Sequence, residues 1–245
     1  MPFLNADSIS LVDFVMLAII VFGLPLEALL TLKKGRAELA SGKPGVRVKH
    51  YTQTILLLWG ISIPILIIWA ASGRDWGALG FQFQTGMMAT MGWGLTALIA
   101  AFFISQYAMV SRSDSARHQL RDGMAQNKIM SNFMPHTEAE YRVFNLMGIT
   151  AGIAEEIVFR GFLIWAFSTV FPLWAAAGLA LAIFTALHMY QGLSQLPMVF
   201  IIGALVTLVY VLTGSLWPAI ALHIFIDVIN NSTVWRARDA TASVS

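Results

Sequence analysis

Cysteine is absent from this 245-residue sequence, and charged residues are scarce at 11%, whereas hydrophobic residues make up 58%. The lack of cysteine excludes disulfides, thiolate nucleophiles and cysteine-ligated zinc. Soluble domains are about 25% charged and about 45–50% apolar, so a soluble chain of this size could not cover its surface with so few charges. The sequence also lacks a glycine-rich phosphate loop and a serine nucleophile elbow, and its basic loops lack the interleaved aromatic residues of a nucleic-acid binder.

The apolar residues form long uninterrupted runs, which predict an all-α, polytopic bundle of membrane-spanning helices. About 20 apolar residues are needed to cross the hydrocarbon, and the runs give seven spans: Leu11–Leu32, Thr54–Ala71, Gly86–Val110, Val143–Val170, Leu173–Tyr190, Leu196–Thr213 and Leu216–Trp235. The mixed-charge stretch Ser111–His136 is interpreted as a solvated connector or surface helix, and an eighth membrane-associated helix within 111–140 is the alternative. Residues 1–10 contain no Lys or Arg, so the first run is expected to be a permanent span rather than a signal peptide.

The basic residues predict the orientation of the bundle. Thirteen of the fifteen Lys and Arg residues lie between spans one and two, between spans three and four, or after span seven. With seven spans these three segments share one side, which the positive-inside rule assigns to the cytoplasm. We therefore expect an N-terminus outside, a cytoplasmic C-terminus, Arg74 in an outer loop, and one transmembrane domain over residues 1–245. Asp13, Glu27 and His50 lie near span ends and are interpreted as interfacial or packing residues.

Ionisable side chains inside the predicted spans are the candidates for function. On insertion scales each costs about 2.5–3.5 kcal/mol at the centre of a span, so such residues indicate a functional site. Three spans contain them: span four has Glu155, Glu156 and Arg160, span five has His188, and span seven has His223 and Asp227.

Helical spacing separates these residues into pairs. Glu156 and Arg160 are four residues apart and share a helix face, whereas Glu155 points about 100° away. His223 and Asp227 are also four apart, so the carboxylate is predicted to hold the imidazole in one tautomer. Glu155 and His188 have no partner on their own helices, and we predict that they face a shared, water-filled pocket.

This arrangement favours hydrolysis. Glu155, assisted by His188, would activate a water molecule as a general base. His223, braced by Asp227, would donate a hydrogen bond to the oxyanion that forms on the attacked carbonyl. Arg160 would hold Glu156 in place. A purely structural Glu156–Arg160 ion pair is the alternative for that pair.

Three motifs carry a family resemblance: Glu155-Glu156-x-x-x-Arg160, Phe184-x-x-x-His188 and His223-x-x-x-Asp227. In this order, within residues 140–232, they resemble the CPBP intramembrane proteases, which include type II CAAX prenyl endopeptidases and bacteriocin-immunity (Abi) proteins. The resemblance implies a glutamate-dependent protease that requires no metal or cofactor, with residues 140–232 as its catalytic core. CAAX-processing members of this family often have Asn where this chain has Asp227, and an Asn amide can donate to an oxyanion whereas an ionised Asp only accepts. Asp227 is therefore expected to orient His223 rather than to contact the carbonyl directly.

The resemblance also implies a substrate class and a location. Lipid-anchored peptides such as prenylated CAAX tails, or transmembrane peptides, would be cleaved in the bilayer of a bacterial or archaeal plasma membrane. Phe184 would support His188. Two other functions stay open: a zinc protease with Glu155, His188 and His223 as ligands, and a non-enzymatic immunity factor, scaffold or proton-coupled transporter.

The predicted depths of the candidate residues conflict. At about 1.5 Å per residue, Glu155 and His223 lie roughly 18 Å from the cytoplasmic ends of their spans, but His188 lies only a few ångströms deep. The catalytic interpretation requires that span five continue past Tyr190 or that span four begin below the membrane surface.

Overall fold

The computed structural model describes residues 9–239, so both chain termini, and with them the predicted sides of the termini, lie outside the described residues. Within this range the protein is all-α, with no strand. The helices, in chain order, are α1 (Leu11–Ala40), α2 (Val46–Ala71), α3 (Met87–Arg112), α4 (Asp114–Gln126), α5 (Lys128–Phe133), α6 (138–168), α7 (Leu173–Leu187), α8 (Leu196–Thr213) and α9 (Leu216–Asp239). Two short 3-10 turns, His188–Gln191 and Leu193–Gln195, connect α7 to α8.

Among the residues that the structure describes, five helical segments are long and apolar enough to cross a membrane: α1, α2, α3, α7 with its 3-10 turn, and α8 with its preceding turn. Each overlaps one of the seven predicted spans. The two other predicted spans correspond to α6 and α9, the helices whose ionisable residues lower their hydropathy. The 24 residues of α9 reach about 36 Å at 1.5 Å per residue, enough to cross the hydrocarbon.

The polar stretch after α3 forms the two short helices α4 and α5. Ser113 caps α4 by accepting a hydrogen bond from the backbone N–H of Ala116. With 13 and 6 residues, both helices are too short to cross about 30 Å of hydrocarbon, and neither has a buried residue. This agrees with the interpretation of Ser111–His136 as a surface helix and connector.

Helix α6 lies at the centre of the bundle and contains the acidic motif. It begins with a capping box, in which Thr137 and Glu140 each accept from the other's backbone N–H. Every residue of its π-helical segment Glu156–Leu163 is buried. Gly152 allows close contact with α9, because a Cβ there would lie 2.5 Å from Cγ1 and 2.7 Å from the backbone nitrogen of Ile224. Small residues four apart, here Gly148 and Gly152, allow two membrane helices to approach closely.

A buried ion pair joins the first half of α1 to the core at the end opposite the basic loops. Both terminal nitrogens of Arg74 donate to the carboxylate of Asp13, one of them at 2.9 Å. The guanidinium lies 5.2 Å from the ring centroid of Trp69 and 4.7 Å from that of Trp165. Asp13, which the sequence suggested as an interfacial or packing residue, is fully buried.

Candidate active site

The predicted pair Glu156–Arg160 is present and completely enclosed. Arg160 donates from Nη1 to Glu156 Oε1 at 2.8 Å, and its other nitrogens donate to Thr207 Oγ1 at 3.2 Å and to the Gly203 carbonyl at 3.0 Å. Its guanidinium lies 4.5 Å from the ring centroid of Phe184. Because every polar contact of the guanidinium is made inside the bundle, Arg160 ties α6 to α8 and to the apolar wall of α7.

The two members of this pair lie in the π-helical part of α6. A π segment inserted in an α-helix often marks a functional site, because it changes the direction of the side chains that follow it. Glu156 begins the segment directly after Glu155, which ends the α-helical part. Glu155 has no hydrogen bond to Arg160, in agreement with the prediction that the two glutamates face different directions.

His223 is held by Glu156, which corrects the predicted brace by Asp227. Its Nδ1 lies 2.7 Å from Glu156 Oε1, so this nitrogen donates to the carboxylate. Its Nε2 lies 3.9 Å from Asp227 Oδ2 and 3.9 Å from Glu155 Oε2, beyond hydrogen-bonding distance in both cases. The side chain of Asp227 packs over Gly148 of α6, where an added Cβ would lie 3.1 Å from the Asp227 Cβ. Asp227 therefore lies beside the His223 ring, as the i,i+4 spacing predicts, but forms no hydrogen bond with it.

His188 lies at the junction between α7 and the following 3-10 turn. Its Nδ1 lies 2.8 Å from the carbonyl oxygen of Phe184, so Nδ1 carries a hydrogen and donates. In the neutral ring the Nε2 lone pair is then free to accept a proton or a hydrogen bond. The ring centroid of Phe184 lies 4.4 Å from that of His188 and 6.4 Å from that of His223, so this phenylalanine lies near both histidines.

Glu155 and His188 line the same cavity, as the prediction of a shared pocket requires. Its volume is about 740 Å³, and α1, α2 and α5 form the walls that face α6 and α7. Apolar side chains such as Leu24 and Leu57 line one part, whereas Lys34, Lys49 and Lys128 lie at the end nearest the basic loops. The conflict in predicted depth therefore does not keep Glu155 and His188 from facing a common space.

Helix α8 contains none of the site residues predicted from the sequence, although two of its residues hold Arg160. Thr207 and Gly203 are one helical turn apart, and Thr207 Oγ1 also donates to the Gly203 carbonyl at 2.7 Å. A polar contact between Asn231 and Asn145, at 3.3 Å, joins α9 to α6. A signal for the α6–α9 contact existed in the Gly148-x-x-x-Gly152 spacing, whereas no local pattern indicated that α8 would meet Arg160.

The zinc alternative has no support from the arrangement of side chains. Within residues 9–239, no group of three or more His, Asp or Glu residues is arranged to hold a metal ion.

Residues 139–229 match the family model described as type II CAAX prenyl endopeptidase Rce1-like, and this family is a protease family. All three motifs lie within the matched residues, and the match confirms the resemblance found in the sequence. A search of curated proteins and a search of solved structures each found no match. Together with the apolar helices, the match supports an integral membrane protein in which residues 139–229 are similar to this protease family.

Proposed function

We propose that this Rce1-like region makes the protein an intramembrane endopeptidase in which Glu155 and His188 activate the attacking water. The observation that carries the proposal is that both side chains line one cavity, with the hydrogen-bonded Nδ1 of His188 leaving Nε2 as the acceptor. A carboxylate and an imidazole at a common pocket can hold one water molecule by both of its hydrogens. Residues 140–232 would form the catalytic core of a single transmembrane domain.

The proposed reaction needs only these groups and water. Glu155 takes a proton from the water as its oxygen attacks the carbonyl carbon of the scissile bond, while His188 Nε2 accepts from the second hydrogen. The proton then passes from Glu155 to the amide nitrogen as the C–N bond breaks, which leaves a carboxylic acid and an amine; the acid then gives its proton to the amine, so that a carboxylate and an ammonium group are released. His223, when protonated on both nitrogens, donates from Nδ1 to Glu156 and from Nε2 to the oxyanion.

Supporting roles follow from the contacts. Glu156 orients His223 through its Oε1, Arg160 neutralises and holds Glu156, and Phe184 packs near both histidines. Asp227 lies 3.9 Å from His223 Nε2 and would act on the substrate side of the ring rather than as its brace.

The proposed topology has seven spans, with α6 and α9 crossing the membrane beside the five strongly apolar segments. Their buried charges are compensated within the bundle, as in the Glu156–Arg160 pair, so neither helix needs to expose them to lipid. The basic residues then place the cavity end that contains Lys34, Lys49 and Lys128 at the cytoplasmic side.

The proposed substrate is a peptide held at the membrane by a lipid anchor or by its own apolar helix. The cavity supports this choice, because apolar side chains of α1 and α2 line it together with Glu155 and three lysines. A prenylated C-terminal peptide is the substrate to test first, because the matched family is that of type II CAAX prenyl endopeptidases.

The test compares the wild-type protein with Glu155→Gln and His188→Ala in vesicles that contain a farnesylated CAAX peptide or its unprenylated counterpart. We expect each variant to lower kcat by about 10²- to 10⁴-fold, the usual contribution of a general base. Glu27→Gln is the matched control, because Glu27 is another carboxylate of the same cavity and has no assigned role in the reaction. Wild-type rates in both test variants would overturn the mechanism.

Two further outcomes separate the alternatives. Cleavage that stops on exhaustive chelation and returns with Zn²⁺ would favour a zinc protease. If the wild-type protein cleaves none of a library of prenylated, acylated and transmembrane peptides, a non-enzymatic role such as immunity or scaffolding gains support.

A further inference from the structure

The 3-10 turn that begins with His188 has one backbone hydrogen bond at its end, from the Gly192 N–H to the Met189 carbonyl at 3.1 Å. The last carbonyls of a helix have no intrahelical donor and need one from elsewhere. Here the turn His188–Gln191 stops at Gly192, whose φ of 99° ends the helical path. The carbonyl oxygens of Met189 and Tyr190 accept from Arg36 Nη2 at 3.0 Å and 3.3 Å. A single guanidinium therefore supplies donors to the two residues that follow His188.

Arg36 belongs to α1, more than 150 residues earlier in the chain. The part of α1 from Leu24 to Ala40 contains no fully buried residue. This segment also makes polar contacts. In addition to the hydrogen bonds of Arg36, Glu38 accepts from Lys49 at 3.2 Å and lies 3.3 Å from His50 Nε2. The cytoplasmic half of α1 is thus attached to α2 and to the His188 turn through polar side chains at its end.

Arg36 and His188 also line the same cavity, together with Glu155. A cation at a helix C-terminus interacts favourably with the partial negative charge of the last carbonyls. Since the carbonyls bound by Arg36 are separated from His188 by only one and two peptide units, a change in this contact moves the backbone that carries the imidazole. The contact between Arg36 and these carbonyls can therefore control the position of the His188 imidazole.

We propose that Arg36 is a positioning residue, which holds His188 in its working position through the carbonyls of Met189 and Tyr190. This inference rests on the proposed function of His188 in water activation. A small displacement of a reacting group can lower a rate by about 100-fold. Substrate affinity, in contrast, does not depend on the position of the His188 imidazole. The inference therefore predicts a change in kcat without a change in KM.

The experiment uses the full chain in vesicles with three variants: Arg36→Gln, Arg36→Lys and Lys33→Gln. We expect Arg36→Gln to lower kcat by about 10- to 100-fold with KM unchanged within about twofold. Arg36→Lys keeps a cation that can donate to both carbonyls, and we expect it to restore most of the rate. Lys33→Gln removes an equal charge from an exposed position of the same helix and should behave as wild type.

Each other outcome overturns the inference. An unchanged kcat in Arg36→Gln means that the contact is only structural, and a raised KM with normal kcat means that Arg36 binds substrate instead. A rate loss equal to that in Lys33→Gln means that the charge of α1 matters and the contact does not. If Glu155→Gln abolishes cleavage while Arg36→Gln is fully active, this inference fails and the proposed function stands.

A second measurement applies even if no substrate is cleaved. Hydrogen–deuterium exchange of the peptide that covers residues 188–192 reports the stability of the turn directly. We expect about tenfold faster exchange there in Arg36→Gln, with no change in Lys33→Gln. Unchanged exchange in Arg36→Gln would overturn the positioning role whatever the protein's activity.

Discussion

One carboxylate oxygen, Glu156 Oε1, accepts hydrogen bonds from two different helices. Arg160 Nη1 lies 2.8 Å away on the same helix, and His223 Nδ1 lies 2.7 Å away on α9. Glu156 therefore connects the arginine that anchors α8 with the histidine proposed to stabilise the oxyanion. This shared oxygen is the contact around which the candidate site is built, and it gives Glu156 a role that an isolated ion pair would not have.

The shared oxygen predicts that stability and activity can be separated by a double variant. Arg160→Met alone leaves Glu156 buried without its charged partner, and we expect a loss of about 3–5 kcal/mol in the free energy of unfolding. Arg160→Met with Glu156→Leu removes both charges, so most of that stability should return. The double variant should nevertheless lose at least about tenfold in kcat, because His223 no longer has an acceptor.

Unfolding of the variants in bicelles and steady-state cleavage in vesicles provide these two quantities. Thr207→Val is a milder control that removes only one of the donors and acceptors around Arg160. A double variant with full activity would show that Glu156 does not position His223.

Asp227 and His223 are expected to differ in their importance. Because Asp227 Oδ2 lies 3.9 Å from the ring and does not hold it, Asp227→Asn should keep kcat within about threefold of wild type. His223→Gln removes the proposed oxyanion donor and should lower kcat by about 10²- to 10³-fold. The kcat values of both variants on the same peptide test this prediction. A large loss of kcat in Asp227→Asn would support the prediction from the sequence that Asp227 holds His223.

The glycine at the α6–α9 contact is expected to tolerate no side chain. In Gly152→Ala the new Cβ would lie 2.5 Å from Ile224 Cγ1, so the two helices must separate at a cost of about 1–3 kcal/mol. Gly178→Ala is the matched control on α7, because nothing lies within 4 Å of its added Cβ. There the better helix propensity of alanine should leave stability unchanged or raise it by up to about 1 kcal/mol.

Thermal unfolding in detergent and cleavage rates compare the two glycine variants. Gly152→Ala should also lower activity, since α9 carries His223 against Glu156. Equal stability of the two variants would mean that the close approach of α6 and α9 is not required.

The Asp13–Arg74 pair is expected to stabilise the protein far more than an exposed pair does. Arg74→Met leaves Asp13 buried and unpaired, which should cost about 3–5 kcal/mol of unfolding free energy. Arg142→Met breaks the exposed pair with Glu138, whose side chain is 70% exposed, and should cost less than about 1 kcal/mol. Comparable losses of unfolding free energy in the two variants would show that the buried contacts of Arg74 with Asp13, Trp69 and Trp165 add no more stability than an exposed ion pair.

Much of the candidate site follows from local spacing. Glu156 and Arg160 pair because a helix brings residues four apart onto one face, and this contact is present as predicted. The separation of Glu155 from Arg160 follows from the same geometry. The prediction for His223 and Asp227 was wrong in its bonding, because spacing shows which side chains can approach but not which acceptor on another helix lies closer.

The sequence by itself determined a helical membrane protein and the candidate site residues, since apolar runs, the scarcity of charge and ionisable groups within the spans can be read along the chain. Only the tertiary structure decided how these residues combine. Glu156 meets His223, Arg160 meets α8, and Glu155 shares a cavity with His188. Arg36 reaches the His188 turn from the other end of the chain. Such contacts depend on how the helices pack, because lipid gives each span the same apolar surroundings and leaves close approach and polar pairing to select its neighbours.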